Sequence, residues 1–242
     1  MTKYVRKLII PALAIAALVM LASCGDNGND NNGDETPSLN DLYATQTAES
    51  ASTADMPTAA ATQPEVTPEI RFAEACVNSG EKSFSAAPPR IIDTNKTYIA
   101  TIKTAKGDIV VDLYSDTPIT ANNFVFLACK GFYDGLTFHR VEPGFVIQGG
   151  DPQGTGSGGP GYTIPDEDDD GHLMDEGVIS MAKAGPNTTG SQFFVTTGLG
   201  SGGDLSYLDP DFTVFGEVTS GMDAAKELAV GDTITAITIE EQ

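Results

Sequence analysis

Phe138-His139-Arg140-Val141-Glu142-Pro143-Gly144-Phe145-Val146-Ile147-Gln148-Gly149-Gly150-Asp151 is the stretch from which the fold can be read. It holds two runs of strand type, 136–141 and 145–149. Alternation along the first places Phe138, Arg140 and Glu142 on one face, with His139 and Val141 on the other. An arginine among strand residues needs a polar partner, and taken alone it reads as a structural salt bridge. Gln148 follows the apolar triplet Phe145-Val146-Ile147 and taken alone reads as the polar end of a core strand.

Working outward, β-branched runs at 98–102 and 109–113 flank Lys106-Gly107 and read as a hairpin. Thr117-Pro118 opens a helix, with Thr117 as N-cap and Pro118 in the first turn, and Gly131 ends it after Lys130. Further strand candidates are 177–182, 192–197, 212–218 and 232–239, with a short helix over 221–229. Eight strand candidates and two helices predict a mainly β fold: a closed eight-stranded antiparallel β-barrel capped by two α-helices. Closure would also remove exposed sheet edges. The domain so defined is 96–242, about the size of one domain with its own core.

The residues before it are of a different kind. Lys3, Arg6 and Lys7 precede an apolar run from Leu8 to Leu21, then Leu21-Ala22-Ser23-Cys24. Positive charge, a short apolar stretch and small residues form a secretory signal over 1–23 rather than a spanning helix. Small residues directly before a cysteine resemble a bacterial lipobox, in which Cys24 receives lipid and becomes the mature terminus. Residues 24–95 hold that cysteine, a tether and a transitional segment. The tether, 25 to about 68, is dominated by Gly, Asp, Asn, Thr, Ala and Ser, which cannot bury enough apolar surface to offset chain entropy. It would reach on the order of 35–40 Å root-mean-square. Residues 69–95 are expected on the domain's surface. The expected location is the cell membrane, lipid-anchored through Cys24, on the extracytoplasmic face.

Composition excludes several classes. The chain has 242 residues and a net charge of -21, against a binder of nucleic-acid backbones. The apolar fraction, 40%, is low for a globular chain because part of it is not globular. Three cysteines and two histidines are too few for a Cys-rich or multi-His metal centre. Gly154 to Gly161 lacks the Gly-Lys-Ser/Thr ending of a phosphate loop and reads as a turn-rich loop. Asp166, Asp168, Asp170 and Gly171 match the first half of a calcium loop, but Gly177 stands where its bidentate Glu belongs. A solvated acidic loop is the plainer reading. His139 or His172 with Ser180 or Ser191 invites a hydrolase, without a nucleophile elbow to support it. Cys76 and Cys129 could pair in an oxidising compartment, or Cys129 could simply be buried in its helix.

Two further stretches stand beside the first: Gly177-Val178-Ile179-Ser180-Met181-Ala182-Lys183-Ala184-Gly185-Pro186-Asn187-Thr188-Thr189-Gly190-Ser191-Gln192-Phe193-Phe194, and Leu208-Asp209-Pro210-Asp211-Phe212-Thr213-Val214-Phe215-Gly216-Glu217-Val218. In order and spacing the three together resemble the cyclophilin family of peptidyl-prolyl cis–trans isomerases, over about 96–242. The resemblance implies an isomerase with no metal and no cofactor. Arg140 would be the catalytic cation, and Gln148 would hold the substrate backbone or orient Arg140. Phe145, Val146, Phe194, Leu208 and Phe212 would line a proline pocket. Ala182 and Lys183 would supply backbone contacts, with Gln192 and Tyr207 beside the groove. Val146 stands where many members have Met, Lys183 where Asn is common, Phe212 where many have His, and Tyr207 where some carry Trp. The last departure implies weak cyclosporin binding. The expected partners are proline-containing exported polypeptides, with the protein acting as a monomer. A non-catalytic proline-binding chaperone or scaffold would share the groove. A solute-binding lipoprotein would share the lipobox and tether but not the three stretches.

Overall fold

The hairpin around Lys106-Gly107 forms as expected. Strands β1 (Tyr98–Thr104) and β2 (Gly107–Leu113) pair antiparallel, with Thr104 opposite Gly107. Gly107 sits at φ +131°, a conformation open to glycine and costly for a residue with a Cβ. Tyr98, Ala100, Ile102, Ile109, Val111 and Leu113 are all buried, so the alternation has one core face. The structure, a computed structural model, describes residues 68–242 other than 168–170 and 210. The expected signal, Cys24 and nearly all of the tether lie outside the described residues.

The remaining elements are α1 (Pro68–Ala75), α2 (Pro118–Cys129), β3 (Arg140–Glu142), β4 (Val146–Gly149), β5 (Val178–Met181), β6 (Phe193–Thr196), a 3-10 turn (Ser206–Leu208), β7 (Val214–Ser220), α3 (Met222–Glu227) and β8 (Ile234–Glu241). The eight strands form one sheet in the order β3-β4-β6-β5-β7-β2-β1-β8, every neighbouring pair antiparallel. The sheet curls into a half-barrel. The expected closure is not shown by strand pairing: β3, three residues long, and β8 are not neighbours in the sheet. The chain just before each of them meets instead, through an isolated bridge between Thr137 and Thr233. Backbone hydrogen bonds there run from Phe138 N to Asp232 O (2.9 Å) and from Ile234 N to Leu136 O (2.8 Å). Phe138 therefore belongs to this seam and not to β3. It packs inward, fully buried, and does not share the face of Arg140 as simple alternation predicts.

Helix α2 is buried nearly all round, from Ile119 to Val125 and again at Leu127 and Ala128. A helix apolar on every side needs cover on every side. Its inner side meets the main core, where Phe124 contacts the rings of Tyr133, Phe193 and Phe215. Its outer side is covered by residues 76–92. Phe84 packs edge-on against Phe126 at 5.2 Å, and Ile91 and Ile92 enter the core. The buried Asn122 accepts from Ile91 N (2.7 Å) and donates to Pro89 O (3.1 Å). The folded unit thus begins before residue 96. A disulfide joins Cys76 to Cys129 at the end of α2, settling the alternative that the sequence leaves open.

Thr117 occupies the N-cap position, but its side chain makes no cap hydrogen bond. Glu167 does that work from a distant loop: its carboxylate accepts from Ile119 N (3.1 Å) and Thr120 N (2.8 Å). A buried anion at a helix N-terminus is favoured by the free N–H groups and the helix dipole.

Candidate active site

The register of the sheet assembles the site. Arg140 on β3 lies opposite Gln148 on β4, Gln148 opposite Phe194 on β6, and Phe194 opposite Ser180 on β5. Directly opposed residues of antiparallel strands share a face. Their neighbours Ile147, Phe193, Val195, Ile179 and Met181 face the main core. Arg140, Gln148 and Phe194 therefore stand in one row on the outer face of the half-barrel. A second apolar cluster covers this face: Val146, Met174, Val178, Phe194, Leu205 and Val214, with Phe145, Ala182, Leu208 and Phe212 packed on it.

A pocket of about 210 Å³ opens on that cluster. Phe145, Val146, Phe194, Leu208 and Phe212 supply its apolar wall. Phe194 and Phe212 meet edge-to-face at 5.7 Å. Arg140, Gln148, Ala182 and Lys183 complete the lining. Nine of the eleven residues expected at the site are thus brought together in one pocket. Gln192 lies next door, lining a cavity of about 390 Å³ that shares Gln148, Ala182 and Lys183 with the pocket. Tyr207 points elsewhere, into a third cavity, and is 63% exposed.

Arg140 is held from three sides. Its Nε and Nη2 donate to Glu142 Oε1 (2.9 and 2.6 Å), and its Nη1 donates to Gln148 Oε1 (3.3 Å). The guanidinium carbon lies 5.8 Å from the centre of the Phe145 ring. Its side chain remains 47% exposed, so the cation faces the open groove. Gln148 Nε2 donates to Gln192 Oε1 (3.0 Å), and Gln192 Nε2 donates to Gly158 O (2.9 Å). A chain of amides therefore links the arginine to the glycine-rich loop.

That loop is organised by Asp151, which is almost fully buried. It accepts backbone hydrogen bonds from Gln153, Thr155 and Gly156. Burial alone would raise its pKa, but these N–H donors together outweigh burial and hold the carboxyl below its ordinary value. His139, by contrast, has its pKa lowered chiefly by burial, and so stays neutral near pH 7. The hydroxyls of Ser180 and Ser191 donate to Thr213 O and Gly150 O (2.7 Å each), which removes them as nucleophiles paired with histidine.

Two site residues escape a reading by motif. Glu142 is the polar partner that Arg140 requires, and its position two residues along the same strand is the signal for it. Asp166 is the other. It pairs with Lys183 Nζ at 2.7 Å, both side chains being more than nine-tenths buried. It also accepts from Asn187 N (2.7 Å) and Thr189 Oγ1 (2.9 Å). The first acid of the partial calcium-loop match is thus committed to Lys183, a residue of the pocket wall. Among the described residues no cluster of His, Cys, Asp and Glu could hold a metal.

Comparison with known proteins agrees with this geometry. The family profile described as "Cyclophilin type peptidyl-prolyl cis-trans isomerase/CLD" matches residues 99–241. A Helicobacter pylori peptidyl-prolyl cis-trans isomerase is 49% identical over 146 residues, covering 59% of this chain and 86% of its own. Peptidyl-prolyl cis-trans isomerase B of Bacillus subtilis is also 49% identical, over 134 residues, covering 54% and 90%. A crystal structure of a Cryptosporidium parvum cyclophilin-type isomerase superposes with a TM-score of 0.52 at 30% identity, covering 60% of this chain and 99% of that one. The same protein was also solved in the presence of the dipeptide Ala-Pro. With a family profile spanning most of the folded unit and two relatives each 49% identical, the chain belongs to the cyclophilin family and is a peptidyl-prolyl cis–trans isomerase.

Proposed function

We propose that Arg140 is the catalytic cation of a membrane-tethered isomerase that acts on X-Pro bonds of exported proteins. The observation that carries the catalytic part is one guanidinium, braced by Glu142 and Gln148, beside an apolar pocket lined by Phe194 and Phe212. Rotation about a peptide bond meets a barrier of about 18–20 kcal/mol, because the C–N bond has double-bond character. In the twisted state that character is lost, and the prolyl nitrogen becomes pyramidal and gains a lone pair. The pocket grips the proline ring while the preceding carbonyl turns. Arg140 donates a hydrogen bond to the nitrogen that is stronger in the twisted state than in the planar one, which is the condition for catalysis. Gln148 and the 182–183 backbone hold the polypeptide on either side. No covalent intermediate and no cofactor is needed. X-Pro exchange takes tens to hundreds of seconds uncatalysed, so newly exported chains benefit from acceleration.

The location rests on separate grounds. The segment 1–23 has the pattern of a signal, and Cys24 stands where a lipid would be attached. The Cys76–Cys129 disulfide supports the same reading, since such bonds persist in oxidising compartments. Growth with labelled palmitate tests it. The full chain should carry label in the membrane fraction, and Cys24→Ala should carry none. Label on the variant, or an unlabelled wild-type chain in the cytoplasm, would refute the anchor.

A further inference from the structure

The proline pocket has a second neighbour, a cavity of about 580 Å³ that shares Phe145 with it. Its walls come from two segments: the end of β3 and the turn after it, carrying Glu142 and Phe145, and the loop 199–204, carrying Leu199, Ser201 and Asp204. Tyr207 also lines it. The loop is stitched to the turn by hydrogen bonds from Thr197 N to Phe145 O (2.8 Å) and from Gly200 N to Gly144 O (2.9 Å). Gly198 permits the approach, since a Cβ there would lie 2.6 Å from Gly144 O. Directly after the loop, Leu205 is buried in the second apolar cluster. The two walls are therefore held at a set separation by the fold.

The lining has two characters. Leu199 and Tyr207 are exposed large apolar side chains, and Phe145 adds a third apolar surface. Glu142 and Asp204 carry carboxylates, and among the described residues no lysine or arginine lines the cavity. Glu142 is engaged by Arg140, whereas among the described residues Asp204 accepts only from the neutral Ser206, at its N (2.9 Å) and its Oγ (3.1 Å). Apolar walls with a carboxylate at the edge match a side chain with a long apolar stem and a cationic head. The domain's 22 acidic against 7 basic side chains, counted over 96–242, add a field of the same sign.

We propose that this cavity is a client subsite, which receives a lysine or arginine close in sequence to the proline being isomerised. The proposal rests on the proline-pocket reading above, because continuity through Phe145 brings a residue near the proline to it. The test uses the full-length chain in detergent and alanine hexapeptides with one central proline. Lys, Glu or norleucine is placed at one of the two residues on either side. Affinity is read by NMR titration and turnover by NMR exchange. At one position the Lys peptide should bind roughly three- to fivefold more tightly than the Glu peptide, with norleucine between. The ratio should shrink at about 0.5 M salt. Ser201→Lys, on the exposed loop, should abolish or invert the preference and leave the alanine peptide unaffected. Asp204→Asn, which keeps an acceptor for Ser206 N, should weaken it. Equal affinity for Lys and Glu peptides at every position, or a preference indifferent to Ser201→Lys, would overturn the subsite. Absence of turnover on the alanine peptide would count against the isomerase reading, and the affinity ratio would still decide the subsite.

Discussion

Arg140, the proposed catalytic cation, presents a fork of donors, and the residues around it decide how well that fork is aimed. Glu142 takes two of its hydrogen bonds and Gln148 a third. Glu142→Gln should leave the pocket intact but loosen the guanidinium, lowering kcat several-fold with little change in KM. Exchange spectroscopy on a proline peptide measures both; an unchanged kcat would show that Gln148 suffices as a brace. Arg140→Lys should recover little, because a single ammonium cannot donate to Glu142, Gln148 and the prolyl nitrogen with one planar fork. The arginine itself was legible from the sequence, since its neighbours form a recognisable run. The braces were less so. Glu142 follows from the two-residue period of a strand, but Asp166 lies 17 residues from Lys183 and only folding brings them together.

At the scale of elements, helix α2 depends on parts supplied from outside it. Glu167 satisfies two N–H groups at its start, so Glu167→Ala should cost about 1–2 kcal/mol of stability, measured by urea unfolding. A loss near zero would mean that water replaces the carboxylate. At its other end the disulfide closes a separation of 53 residues. Replacing both Cys76 and Cys129 by alanine should cost about 2–4 kcal/mol and speed amide exchange first in residues 76–84. The strands were readable because alternation is a local property of the chain. The helix cap was not, because the carboxylate that accepts from its first N–H groups is 48 residues from Ile119. Nor was the packing of residues 76–92, since Phe84, Ile91 and Ile92 stand among prolines and polar residues with no period of their own. The seam was also hidden, because it is made by Thr137 and Thr233, which lie just before β3 and β8 and outside the paired strands.

For the whole molecule, acidity is the dominant surface property, and removal of 1–23 would deepen the charge from -21 to -24. Two carboxylates work against acid. Burial pulls Asp166 upward, but Asn187 N–H, Lys183 and Thr189 outweigh it and hold its pKa below the ordinary 3.8. Asp151 is held low in the same way by its backbone donors. A lowered folded-state pKa stabilises above the unfolded value and is lost as pH falls through the folded one. Unfolding midpoints should therefore hold steady down to about pH 4 and drop below it, with Asp166→Asn showing a shallower drop. An identical pH profile for that variant would remove Asp166 from the account. Arg140→Ala probes the catalytic reading most directly, with rate and affinity for a proline peptide measured by NMR on the same samples. The variant should bind within a few-fold of wild type while kcat/KM falls about 10²- to 10³-fold, the scale of losing one charge-stabilising donor. Wild-type turnover in the variant would contradict a catalytic role for Arg140, and a wild-type protein that binds the peptide without accelerating its exchange would make the groove a proline-binding module instead.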